Sequence, residues 1–206
     1  MSDPDDRRVT QAAWGLVLAP LVFVGGWAVV GASIHGYSPR REAISNLAAV
    51  DSPRRWIMFA VFVTYGVAMV VGSFALRCSV VRAAWPAAVV NGVALMGVAA
   101  TPIHRSDLVD GLHGLAATVA YMSLAAMPLL ASKGLRQAGY PVAAMASVFV
   151  GVASLGSFLM AWVSTDGGLF QRTGSTVGDV WILAVGLAIL FGPLARPLAS
   201  ERAACT

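Results

Sequence analysis

Apolar stretches, each close to the ~20 residues that cross ~30 Å of hydrocarbon as a helix, alternate with polar interruptions along this 206-residue chain. Six are expected, at approximately 13–33, 56–76, 83–101, 113–132, 142–163 and 177–195. The first five contain no Asp, Glu, Lys or Arg, and the sixth carries Asp179 near its start. The runs are continuous and rich in Ala, Gly and Leu. They lack the alternation of a membrane β-barrel. The pattern predicts an all-α, single-domain bundle of six transmembrane helices over residues 1–206, with both termini on the same side.

Composition removes the main alternative. The chain is 58% hydrophobic and only 12% charged, where an ordinary soluble domain carries about 25% charged residues. The opening MSDPDDRRVT is acidic, then basic, and precedes a full-length apolar run. It does not read as a cleaved secretory signal, so the first span is expected to be a retained anchor, and neither end carries a lipidation motif. Cys78 and Cys205 have no nearby cysteine and fall on the side of the termini, which argues against a thiolate metal site or a lasting disulfide.

Charge gives a weak orientation. Arg7, Arg8, Arg77, Arg82, Lys133, Arg136, Arg196 and Arg202 lie on the side of the termini, against Arg40, Arg41, Arg54, Arg55, Arg105 and Arg172 on the other. The positive-inside rule places the termini in the cytoplasm of a multi-pass cell-membrane protein. The net +4 charge suits anionic lipid headgroups. No basic stripe interleaved with aromatics points to nucleic acid.

The acidic residues divide less evenly. Asp3, Asp5, Asp6 and Glu201 are in the tails. Glu42, Asp51, Asp107, Asp110, Asp166 and Asp179 fall on the opposite side, with His35, His104 and His113. In HRSDLVDGLH, His104, Asp107, Asp110 and His113 recur every third residue. Such a set suits a divalent metal, although the spacing matches no established zinc signature. It equally suits acid–base chemistry, with an Asp orienting a His, or a plain helix start capped by acids. Asp107, Asp110, His113 and Asp179 are the catalytic candidates. A carboxylate within a span is costly unless paired, and Arg172 or a histidine is the expected partner of Asp179.

The other polar loops supply candidate binding groups. Arg40 and Arg41 can hold phosphate or carboxylate, or simply meet headgroups. Ser45 and Asn46 are small polar residues beside Leu47, in a loop read as partly helical at the interface. Gln171 and Arg172 are placed in a third loop, VSTDGGLFQRTGSTVGD. Asn91 in span three is expected to bond to a neighbouring helix. Gly66, Gly72, Gly92, Gly97, Gly151, Gly156 and Gly186 are read as close-packing positions, and Pro86, Pro128 and Pro193 as helix ends or bends. The six tryptophans are read mostly as an aromatic belt.

YSPRREAISNLA after span one, HGLAA opening span four and QR before span six resemble the bacterial and archaeal membrane-protein family catalogued as domain of unknown function number 998. The resemblance covers residues 13 to 195. Ser45, Leu47, His113, Gly114, Gln171 and Arg172 match its pattern, and Asn46 stands where the pattern has an aspartate. The resemblance implies a small polytopic protein and no particular activity.

Two functions stay open. One is an enzyme acting on a lipid-like substrate, by hydrolysis or isoprenoid cyclisation. The other is a non-catalytic lipid or small-molecule binder, sensor or assembly protein. A transporter has less support, because the ionisable residues cluster at one end rather than the midplane.

Overall fold

The computed structural model of the chain describes residues 4–192 and Leu194, with side chains from Arg7 onward. Asp3, Pro193, Arg196, Glu201, Arg202 and Cys205 lie outside the described residues, as do the side chains of Asp5 and Asp6. Six α-helices follow in order: α1 (Pro4–Ser33), α2 (Arg55–Arg77), α3 (Trp85–Ala100), α4 (Asp107–Gln137), α5 (Pro141–Val163) and α6 (Gly167–Phe191). All are long and apolar enough to cross a membrane, α3 when counted from the short 3₁₀ turn before it. The protein is a multi-pass membrane protein with no strand among the described residues.

Each helix packs on its neighbour in the chain, and α6 returns against α1 to close a ring. Short links make this the direct solution, since consecutive spans must run antiparallel. The link between α4 and α5 is only Ala138–Tyr140. Gly139 adopts φ +87, and the Tyr140 amide bonds back to the Leu135 carbonyl at 2.9 Å, a left-handed cap that ends α4 sharply.

Lipid tails are as apolar as leucine, so helix association rests on close packing and interhelical hydrogen bonds. At the α2–α3 contact, a Cβ on Gly66 would lie 2.6 Å from the Gly92 carbonyl oxygen, and one on Gly92 would lie 2.6 Å from that of Gly66. Gly72, Gly151 and Gly186 are similarly tight, whereas Gly97 has ordinary contact and Gly156 faces open space. Gly156 is therefore not a packing position. Asn91 donates to the Ala120 carbonyl at 2.8 Å and ties α3 to α4, the interhelical bond expected of it. Pro86 sits in the first turn of α3, while Pro128 lies inside α4.

Two expectations need correction. The sixth helix begins at Gly167, not near 177, so Gln171 and Arg172 are helical and Asp179 lies mid-helix. The fourth begins at Asp107, so most of HRSDLVDGLH forms its first turns. Polar side chains set both errors: hydropathy discounts Gln171, Arg172, Asp107 and Asp110, yet each suits the end or interior face of a helix. The first loop is partly helical, as expected: it turns inward as a 3₁₀ segment, Ile44–Ala48, with Ile44, Ser45, Leu47 and Ala48 buried against α1, α2 and α6. This segment closes the end of the bundle opposite the termini, the loop end.

Candidate functional site

The inward turn of the first loop brings Ser45 to α4. Ser45 Oγ lies 2.8 Å from His113 Nε2, and His113 Nδ1 lies 2.6 Å from the Thr101 carbonyl. A carbonyl only accepts, so the neutral ring carries its proton on Nδ1 and turns the Nε2 lone pair toward the serine hydroxyl. Both side chains are buried. Serine, histidine and an acceptor orienting the ring follow the nucleophile–base–orienter order, with Thr101 O standing where a carboxylate is often found.

Two residues of α6 pin the same loop. Gln171 Oε1 accepts from the Ile44 amide at 2.7 Å, and its Nε2 donates to the Tyr121 hydroxyl on α4. The next residue, Arg172, donates from Nη1 to the carbonyls of Pro39 at 2.7 Å, Glu42 at 2.8 Å and Gly168 at 3.0 Å. Its Nη2 donates to the Tyr37 hydroxyl, and the guanidinium lies 5.2 Å from the Trp27 ring. The planar fork suits this task because it can serve several carbonyls at once. Gly168 lets the loop approach: a Cβ there would meet the Glu42 carbonyl oxygen at 2.3 Å.

Burial raises the Tyr37 hydroxyl above its ordinary range, opposed by the charge of Arg172. Outside the loop, Arg40 donates to Asp166 at 2.7 Å, and that bond holds the Asp166 carboxyl below its usual range. His104 turns to Asp51 at 2.9 Å with φ +66, and its hydrogen bond lowers the Asp51 carboxyl.

The sequence candidates therefore separate. Ser45, His113, Gln171 and Arg172 come together around the loop, with Asn46 beside Ser45 on the same turn. Arg41 is exposed near them, while Arg40 is taken up by Asp166. Asp107 is exposed in the first turn of α4, next to the capping Ser106, which accepts from the Val109 amide at 3.4 Å. Asp110 shares that turn, and its Oδ1 is buried with no hydrogen-bond partner.

Asp179 is fully buried deeper in the bundle, on the same face as Arg172 but roughly 10 Å along the helix. Its partner is neither Arg172 nor a histidine. Tyr65 of α2 donates to its Oδ1 at 3.2 Å, and Oδ2 has no partner. The length of α6 between them explains the correction.

The metal alternative on His104, Asp107, Asp110 and His113 does not assemble. Among the described residues no three His, Cys, Asp or Glu side chains gather in a metal-holding arrangement. His104 precedes the helix and faces Asp51, while both nitrogens of His113 are engaged.

Tyr37, Tyr65, Tyr121 and the Thr101 carbonyl escaped the sequence reading. Tyr65 and Tyr121 carried a signal, as hydroxyl groups within otherwise apolar runs. Trp181 also leaves the expected belt, donating from Nε1 to Ser147 at 2.8 Å inside the bundle.

A family model described as "Protein of unknown function (DUF998)" matches residues 17–188. No curated protein and no solved structure matches the chain.

Proposed function

Since the chain belongs to this DUF998 family, whose description names no activity, we propose from the site itself that the protein is a membrane hydrolase acting on lipid-like esters. Ser45 is its nucleophile and His113 its general base. The 2.8 Å contact between Ser45 Oγ and His113 Nε2, with Nδ1 held by Thr101, carries this reading. It favours hydrolysis over cyclisation, because the buried acid Asp179 stands apart from this pair.

The chemistry balances with water as the co-reactant. Ser45 Oγ bonds to the ester carbonyl carbon as its proton passes to Nε2. Collapse breaks the carbon–alkoxide bond, and His113 returns the proton to the departing alcohol. Water, deprotonated by Nε2, then releases the acid and restores Ser45. The backbone N–H of Asn46 is taken by the Ala43 carbonyl at 3.1 Å, so its side-chain amide, on the residue next to Ser45, is the group suited to donate to the developing oxyanion. Burial excludes bulk water and strengthens each of these interactions.

Labelling with a fluorophosphonate probe in detergent micelles tests the proposal. The expected adduct is on Ser45, absent in Ser45→Ala and in His113→Ala, with parallel loss of fatty-acyl ester turnover. A parent protein that takes no label and turns over no ester removes the hydrolase. That result would favour the second reading, a non-catalytic lipid binder, which the use of Arg172 Nη1 on three backbone carbonyls, a task of holding the loop, supports.

A further inference from the structure

Between α4, α5 and α6, beside the pinned loop, the helices part to leave a groove of about 350 Å³. Arg41, Gly114, Tyr121, Phe158, Trp162 and Gln171 are among its walls. We propose that this groove seats an acyl chain of an anionic lipid whose headgroup rests on Arg41. The proposal rests on the hydrolase reading only in making that lipid the substrate.

The volume falls within the roughly 300–1,000 Å³ of small-ligand sites. Its rim is apolar and outward-facing, with Trp162 73% exposed, so the entrance meets the bilayer rather than water. The charge at the mouth selects the headgroup. Arg41 is exposed, and its guanidinium makes no hydrogen bond or ion pair within the described residues; Asp166, a carboxylate it influences, is already bonded to Arg40. An unpaired guanidinium at headgroup depth above an apolar slot complements an anionic head over a chain.

The groove also leads toward Ser45. A small cavity of about 20 Å³ beside Ser45 shares Ala117 and Tyr121 with it as walls. Tyr121 stands between the two spaces, stacked on Phe158 with ring centroids 4.3 Å apart and bonded to Gln171. Tyr121, with Ala117, walls the groove off from the serine. Tyr121 is thus a positioning residue that separates the chain site from the nucleophile.

Native mass spectrometry of the full chain released from micelles tests the site, with phosphatidylglycerol and phosphatidylcholine of matched chains as probes. The parent is expected to retain phosphatidylglycerol preferentially, and Arg41→Gln to weaken it by about tenfold, the scale of one charge-assisted bond. Gly114→Phe is expected to abolish retention of both lipids. A Cβ at Gly114 meets nothing within 4 Å, so the added ring fills the groove without disturbing the backbone, and a thermal unfolding curve checks this. Ser45→Ala should bind as the parent does. Equal retention of the two lipids, or an unchanged preference in Arg41→Gln, overturns the site. Should binding follow these expectations while no fluorophosphonate adduct forms, the lipid site stands and the hydrolase falls.

Discussion

Arg172 and Asp179 lie about two turns apart on the same face of α6, and the bundle treats them differently. Arg172 has three carbonyls, a tyrosine hydroxyl and an indole ring around it. Asp179 has one tyrosine hydroxyl, and its second oxygen has no partner. Arg172 is near the end of the bundle, where a loop with free carbonyls can fold onto it. Asp179 lies where every backbone group is already used by a helix, so only side chains can answer it. Location along the span thus sets which partners can reach these two groups, backbone carbonyls for Arg172 and only a side chain for Asp179, although Nε of Arg172 also has no partner.

The largest effect is expected at the loop end. Ser45→Ala should lower ester turnover at least about a thousandfold, as loss of a serine nucleophile does elsewhere. Its unfolding midpoint in micelles should change little, because only one hydrogen bond is lost. A large drop in stability with turnover retained would make Ser45 a structural link and erase the catalytic side of the contrast.

Arg172→Ala comes next, on stability. It strips partners from three carbonyls and the Tyr37 hydroxyl, and should cost about 3 kcal/mol in equilibrium unfolding. Arg172→Lys should recover less than half of that, since an ammonium cannot copy the fork. Full recovery by lysine would reduce the clamp to a point charge.

Asp179→Asn should shift stability by no more than about 1 kcal/mol, because the amide oxygen still accepts from Tyr65. A loss as large as that of Arg172→Ala would mean that the deep pair matters as much as the clamp.

The smallest effect belongs to the exposed Arg40–Asp166 pair. Its hydrogen bond lowers the Asp166 carboxyl, so any stabilisation is present above the ordinary carboxylate range near ~3.9 and is lost as pH falls through the lower folded value. Arg40→Gln should therefore differ slightly from the parent at neutral pH and converge with it in acid. A difference that grows with acidity would assign the effect to another group.

The span count and the candidate residues of the loop end were legible in the chain for separate reasons. Long apolar runs must be helices in hydrocarbon, so the six spans followed from hydropathy alone. Ser45, His113, Gln171 and Arg172 stood out as polar residues beside those runs and as matches to a family pattern. Their relations were not legible. Asp107 and Asp110 drew attention through their spacing with His104 and His113, yet helix geometry sends these residues to different surroundings. Asp179 was visible as an anomaly, while Tyr65, remote in sequence, gave no sign of being its partner.

The sequence by itself determined the membrane fold, because the cost of exposing backbone amides to lipid leaves an apolar run of this length one structure. It also determined which end of the bundle collects the histidines. Only the tertiary structure decided that the first loop folds inward and joins Ser45 to His113 while Gln171 and Arg172 hold it. Those contacts span 68 to 135 positions of the chain and depend on the closing of the helix ring, on the close approach at Gly168 and on the reach of single side chains. No local pattern of polar and apolar residues encodes such distances.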